Sequence, residues 1–161
     1  MLVSFDKLPL SSRIWIYSSN RKFVQKEIIS LRKDLGDFLS KWTSHNQNLE
    51  TSFELRYDRF IIIAVNQEIN NASGCSIDNC VRFIKKIENK YEVDLLDKMN
   101  VFYKQNKHLC CKKLNEFIRM YENNSVSLKT VVFNNLVNTV GEYKVKWEVP
   151  AKESWHNRFM N

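Results

Sequence analysis

Two short apolar segments constrain the fold of this chain more than any other feature of the sequence. Residues 13–17 contain Ile14, Trp15 and Ile16 in succession, and residues 60–65 are apolar throughout. A strand without a polar face is usually covered on both sides, as the central strands of a sheet are. We therefore predict that these two segments pair antiparallel at the centre of one sheet.

The residues around these two strands predict helices and further strands. Apolar residues recur at helical spacing over residues 22–42 and again beyond Ser76, and residues 52–57 alternate between polar and apolar. A tight turn beginning at Asp58 joins residues 52–57 to residues 60–65 in a hairpin. The remaining predicted elements are a hairpin formed by 100–104 and 109–113, a helix over 114–122, and strands over 130–133 and 143–149.

The order of the first six predicted elements is strand, helix, strand, strand, helix, strand. This is the order of the split β-α-β, ferredoxin-like fold, in which both helices cover one face of an antiparallel sheet. We predict an α+β protein with a ferredoxin-like core over about residues 13–104. The C-terminal hairpin, short helix and strands, over about residues 105–161, would extend that core within a single domain of 161 residues.

The segment Ser73-Gly74-Cys75-Ser76-Ile77-Asp78 provides the chemistry of a helix start. Gly74 can adopt backbone angles closed to other residues, Ser76 is a good N-cap, and Asp78 in the first turn suits the positive end of the helix dipole. Cys75 would then lie beside unsatisfied N–H groups, which can stabilise a thiolate or bind an anion. The other interpretation is a helix start without any ligand. On the first interpretation Ser73, Gly74, Cys75, Ser76 and Asp78 are ligand-binding candidates.

The predicted topology brings further candidate residues to the same edge of the sheet. The first helix ends and the second helix begins at that edge, so His45 and Cys75 become neighbours. The fourth strand ends there too, which adds Lys104, Lys107 and His108 as ligand-binding candidates. A thiol beside an imidazole and basic residues is typical either of an anion pocket or of a cysteine nucleophile.

The positive charge of the chain raises the question of an acidic partner. The net charge is +7, and residues 101–161 carry ten Lys and Arg against five Asp and Glu. Nucleic acid is nevertheless not the favoured partner, because Trp15, Tyr17 and Phe60 do not match the aromatic signature of an RNA-binding sheet. We expect a small anion or an acidic protein as the partner, and the sequence indicates no oligomeric state.

Several kinds of site are not indicated by the sequence. There is no nucleotide-binding Lys loop, no dinucleotide glycine motif, no nucleophile elbow and no His-Glu-x-x-His motif. The four cysteines lack the spacing of a zinc site, and we expect them all to be reduced thiols. We predict neither a metal nor another cofactor. No leader pattern is present and residues 60–65 are too few to span a bilayer, so we expect a cytoplasmic protein.

Four segments of the chain resemble those of a family of short bacterial proteins that often carry the label ABC transporter ATPase. They are residues 14–17, 42–45, 72–78 and 154–156, and the most specific is Ser-Gly-Cys-Ser-Ile-Asp at residues 73–78. The resemblance spans nearly the whole chain. The label implies ATP hydrolysis, but the chain lacks the phosphate-binding loop for that reaction, so on sequence grounds it is not an ATPase. The recurring segments contain His45, Cys75 and His156.

Three functions follow from these observations. The first is a cytoplasmic binding or regulatory module that holds a small anionic ligand or an acidic partner at residues 73–78. The second is a cysteine-dependent enzyme with Cys75 as nucleophile and His45 or His156 as base. The third is a weak, non-specific nucleic-acid binder that acts through its C-terminal charge.

Overall fold

Strand β5 (Phe60–Val65) is the middle strand of an antiparallel sheet in the computed structural model, which describes residues 1–161. The strand order is β1-β5-β4, with β1 formed by Arg13–Ser18 and β4 by Thr51–Arg56. The predicted antiparallel pairing of the two apolar segments is confirmed, with Ile14 opposite Ala64. Only β5 has strand neighbours on both sides in this sheet, and all six of its residues are buried.

Two long helices contribute the core residues on one face of this sheet. Helix α1 (Gln25–Lys41) buries Leu31, Leu35 and Leu39, the helical spacing expected from the sequence. Helix α2 (Gly74–Tyr91) buries Cys80, Ile84 and Ile87. The same core cluster includes Ile61 and Ile63 of β5 together with Trp42, which follows α1. A short hairpin of β2 (Thr43–Ser44) and β3 (Gln47–Asn48) occupies the predicted loop between α1 and β4.

The chain divides into two compact units, and these elements form the first. The first unit contains Met1–Leu96 and Asn138–Gly141, and the second contains Asp97–Val137 and Glu142–Asn161. The second unit has its own sheet, in the order β7-β6-β8-β9. Its strands are β6 (Asn100–Gln105), β7 (His108–Lys113), β8 (Val131–Phe133) and β9 (Glu148–Pro150). Helix α3 (Leu114–Glu122) lies in the second unit, and helix α4 is formed by Val140–Lys146.

The strand order confirms the α+β class but not the ferredoxin-like topology. In that topology the fourth strand would lie beside β1, whereas β6 pairs with β7 and β8 in the other sheet. The outer edge of β1 is instead met by Asn138–Gly141. Ile14 N donates to Asn138 O over 2.9 Å, and Val140 N donates to Ser12 O over 2.9 Å. The fourth predicted strand forms, and its predicted hairpin with residues 109–113 is confirmed, but its other neighbour is β8 and not β1.

The predicted strand over residues 143–149 is wrong for most of its length, because residues 143–146 are helical and only Glu148 and Val149 belong to a strand, β9. Val140, Tyr143 and Trp147 are all buried, and their spacing of three and four residues is that of a helix face. A strand would have placed Val145 on the same face as Tyr143 and Trp147, but Val145 is 71% exposed. The alternation of apolar residues in this segment therefore does not correspond to an alternation of burial.

Candidate functional site

Helix α2 begins three residues earlier than the sequence predicts. Ser73, not Ser76, is the N-cap, and its hydroxyl oxygen accepts a hydrogen bond of 3.1 Å from the backbone N–H of Ser76. Cys75 is therefore inside the first turn of the helix. The backbone of Gly74 has no positive φ, so the conformational freedom of glycine is not what this position requires.

A chain of hydroxyl hydrogen bonds joins this helix start to the β2–β3 hairpin. The hydroxyl of Ser76 donates to the carbonyl oxygen of Thr43 over 2.8 Å. A hydroxyl has a single hydrogen, so the 2.8 Å contact between the Ser73 and Ser76 hydroxyls has Ser73 as donor. The indole N–H of Trp42 donates to the carbonyl oxygen of Ser76 over 2.9 Å. Trp42 and Thr43 are thus hydrogen-bonded to the first turn of α2.

Two backbone donors remain at this start. The first N–H groups of a helix have no partner within the helix, and Ser73 satisfies that of Ser76. The N–H groups of Gly74 and Cys75 make no hydrogen bond, and both residues are exposed. Apart from its chain neighbours and the helix backbone, no atom lies within 4 Å of the position that a Cβ on Gly74 would occupy. The exposure of both residues leaves this turn open to solvent.

The predicted partners of Cys75 lie in different surroundings. His45 is exposed between β2 and β3, in the left-handed region with a φ of 51°. His156 is buried in the second unit, where its Nδ1 is 2.8 Å from the hydroxyl of Ser154. Neither histidine forms a hydrogen bond with the thiol of Cys75, which is exposed in the first unit. No contact between the nucleophile and a base is therefore present for the enzyme hypothesis.

The basic candidates belong to the second unit. Lys107 and His108 are exposed at the turn between β6 and β7, and Lys104 forms an ion pair with Glu148. Their predicted proximity to Cys75 depends on β6 lying in the sheet with β1, and β6 lies in the other sheet. Lys104, Lys107 and His108 therefore lie at a strand of the second sheet, not at the edge of the sheet that contains β1. Asp78, by contrast, is exposed on α2 itself, one turn beyond Gly74.

None of the four cysteines forms a disulfide, and they differ in exposure. Cys75 is exposed, whereas Cys80 is 2% exposed and its sulfur is 3.8 Å from the hydroxyl of Tyr17. Burial raises the pKa of the Cys80 thiol to about 11, and it also raises the pKa of the Tyr17 hydroxyl. Cys80 is therefore a packing residue.

No group of His, Cys, Asp and Glu side chains is placed to hold a metal ion. No helix has the length and apolar content needed to cross a membrane.

Comparison with protein-family models, with curated proteins and with solved structures finds no match to this chain. The residues that sequence reasoning missed are Trp42, Thr43 and Ser44. The first two bind the start of α2, and the buried hydroxyl of Ser44 has no hydrogen-bond partner. A signal for them existed, because residues 42–45 form one of the segments that carry the family resemblance.

Proposed function

We propose that this protein is a binding or regulatory module that holds a small anion, or a carboxylate of an acidic partner, at the start of α2. The observation that carries the proposal is the pair of exposed N–H groups of Gly74 and Cys75, which make no hydrogen bond. Backbone N–H groups at a helix N-terminus, together with the helix dipole, favour an anion.

The surroundings of this start support a fixed geometry. The hydroxyl of Ser73 donates to that of Ser76, and the hydroxyl of Ser76 donates to the carbonyl oxygen of Thr43, so they hold the first turn against the β2–β3 hairpin. Neither hydroxyl hydrogen is left for a ligand, which restricts the donors to the backbone. We infer that the site selects for negative charge and small size, and that it contributes no side-chain donor from these two serines.

The test uses inorganic phosphate and the backbone amide signals of the protein. We expect the amide resonances of Gly74 and Cys75 to shift saturably in an NMR titration. Gly74→Pro removes one donor, and proline is tolerated at the first position of a helix because its φ suits that position. The extended backbone of Ser73, with φ −83° and ψ 171°, is also compatible with a following proline. Gly74→Pro should therefore bind phosphate more weakly while remaining folded.

Gly74→Ala is the matched control, because it retains the N–H group and places its Cβ in open space. We expect this variant to bind phosphate as the unchanged protein does. Equal affinities of Gly74→Pro and Gly74→Ala, or phosphate shifts confined to lysine-rich surfaces, would contradict the proposal.

The cysteine-dependent enzyme remains a second hypothesis, because the thiol of Cys75 is exposed in the same first turn. It requires that His45 or His156 act as base, and neither is hydrogen-bonded to the sulfur. A covalent adduct on Cys75 after incubation with an electrophilic substrate analogue, lost in His45→Ala, would favour it over the binding module.

A further inference from the structure

The exposed surfaces of α1 and α2 are much more basic than the rest of the first unit. On these helices eight Lys and Arg are exposed, whereas only two acids, Asp37 and Asp78, are exposed. We call these eight residues the basic helix surface, and they are Lys26, Arg32, Lys33, Lys41, Arg82, Lys85, Lys86 and Lys90. When all residues are counted, the two helices carry eight Lys and Arg against five Asp and Glu, and the rest of the first unit carries six against seven. The positive charge of this unit is therefore concentrated on one helix layer.

The other acids of these helices are half-buried and already bound. Glu27 accepts from the guanidinium of Arg21 and from the N–H of Val24, and Glu88 accepts from two backbone N–H groups. Asp34 binds Lys90, and the exposed Asp37 binds Lys33. The other six members of the basic helix surface form no ion pair, so their charge is available to a partner.

A groove between the two helices adds an aromatic element to this surface. Phe38 of α1 and Phe83 of α2 are half-buried and stack with ring centroids 4.3 Å apart and an interplanar angle of 5°. These rings contribute to the lining of a shallow depression of about 380 Å³. Lys86 and Lys90 also line it, together with Asp34 and Asp37, the two acids that form ion pairs with Lys90 and Lys33. Aromatic rings beside lysines are the combination with which proteins hold single-stranded nucleic acid, through base stacking and phosphate contacts.

We propose that the basic helix surface binds single-stranded nucleic acid, with the phosphates on the lysines and arginines and a base in the groove of Phe38 and Phe83. Arg82 and Lys86 are one helical turn apart, about 6 Å along the axis, so they can meet successive backbone charges. This surface differs from the C-terminal charge considered from the sequence. It also goes beyond the anion site, because it requires neither Gly74 nor Cys75.

A lipid surface fits these helices less well than a nucleic acid does. A helix that lies on a membrane needs a broad apolar face opposite its basic residues. Ile29 is the one exposed large apolar residue within α1 and α2, and the apolar faces of both helices are buried in the core. The surface of the two helices therefore offers basic residues and a small aromatic groove, but no apolar face that could enter a membrane.

The test measures the binding of a fluorescent 20-nucleotide thymidine strand by anisotropy at several salt concentrations. The variant is the triple charge reversal Arg82→Glu, Lys85→Glu and Lys86→Glu. All three residues are exposed and glutamate is a good helix former, so the fold should persist, which circular dichroism checks. We expect the dissociation constant to rise at least tenfold. The salt slope should fall by about 0.7 for each phosphate that no longer has a cationic partner.

The matched control is a triple charge reversal at exposed lysines of the second unit: Lys129→Glu, Lys144→Glu and Lys152→Glu. It changes the net charge equally, and we expect less than a threefold effect. Phe83→Leu should weaken binding about fivefold or more without changing the salt slope, because it removes stacking and no charge.

Several outcomes would overturn the proposal. One is that the two triple variants weaken binding equally, and another is that the protein does not bind the thymidine strand even at low salt. The third is that a 20-base-pair duplex, poly-glutamate or phosphatidylserine vesicles bind as tightly as the thymidine strand does. If the triple reversal in α2 unfolds the protein, Lys85→Gln with Lys86→Gln replaces it. The affinity of this double variant for the thymidine strand should then fall at least threefold, and an unchanged affinity would likewise overturn the proposal.

Discussion

The indole N–H of Trp42 donates a hydrogen bond of 2.9 Å to the carbonyl oxygen of Ser76, and both residues are almost fully buried. The bond joins the residue after α1 to the first turn of α2, 34 residues later in the chain. Ser76 in turn donates to Thr43, so two hydrogen bonds hold the start of α2 against this segment. The position of the free N–H groups of Gly74 and Cys75 therefore depends on Trp42.

Trp42→Phe should lower the free energy of unfolding by about 1–2 kcal/mol, because it removes one buried hydrogen bond and part of a ring. It should also weaken phosphate binding, since the first turn loses a support. Trp147→Phe is the control, because it likewise removes an indole hydrogen bond, of 2.8 Å to Asn135, but in the second unit. Urea unfolding and phosphate titration of both variants give the comparison. Equal phosphate affinities would contradict the role assigned to Trp42.

Ser73→Ala should destabilise the protein by about 1 kcal/mol, because it removes the N-cap oxygen that accepts from the N–H of Ser76. Ser73→Gly should cost only a few tenths of a kcal/mol, because glycine is itself an acceptable N-cap. The midpoints of urea unfolding measure both. Ser73→Ala should therefore lose more stability than Ser73→Gly. A larger loss of stability in Ser73→Gly would show that Ser73 does not act as the cap.

Cys75 should react with iodoacetamide near neutral pH faster than any other thiol in the folded protein. It is exposed, whereas Cys80 is buried and its pKa is raised to about 11, which leaves almost no thiolate at neutral pH. Cys110 and Cys111, which have intermediate exposure, are internal references. Mass spectrometry of peptides from a time course measures the four rates. Labelling of Cys80 before Cys75 would contradict the burial pattern.

The first five elements could be predicted because each has a strong local signal. The apolar run of β5 and the helical spacing of Leu31, Leu35 and Leu39 leave few alternatives for those segments. The pairing of β1 with β5 followed from their shared apolar character. The hairpin of β6 with β7 could be predicted, because the two segments are joined by a short turn. The second neighbour of β6 could not, because the sequence of β6 suits any partly buried sheet and does not specify which one.

The candidate site was predictable only in part. The segments around Ser73 and His45 are the two that meet, but their sequences do not show which serine is the cap. Ser73 and Ser76 are equally good N-caps by type, and the choice depends on Ser76 being buried against Thr43. The burial of His156 was also beyond sequence reasoning, because a lone histidine near an aromatic residue fits both a surface and a core.

The buried imidazole of His156 should make the stability of the protein sensitive to acid. Burial lowers its pKa from 6.5 to about 4, and its Nε2 has no hydrogen-bond partner. The centroid of its ring is 3.8 Å from that of Trp155 and 5.9 Å from that of Phe117. Neither of these rings offers a compensating charge. Protonation therefore places an uncompensated cation among apolar groups.

The sign of the effect follows from the two pKa values of His156. The unfolded state binds a proton near pH 6.5 and the folded state only near pH 4, so stability is retained above 6.5 and falls between these values. The loss by pH 4 should be about 3 kcal/mol. His156→Gln, which cannot take up a proton, should lack this loss, while His108→Gln, at an exposed histidine of the same unit, should retain it. Urea midpoints at pH 7, 5.5 and 4 measure the difference. Parallel pH profiles for the unchanged protein and His156→Gln would show that the buried histidine is not the group that limits stability in acid.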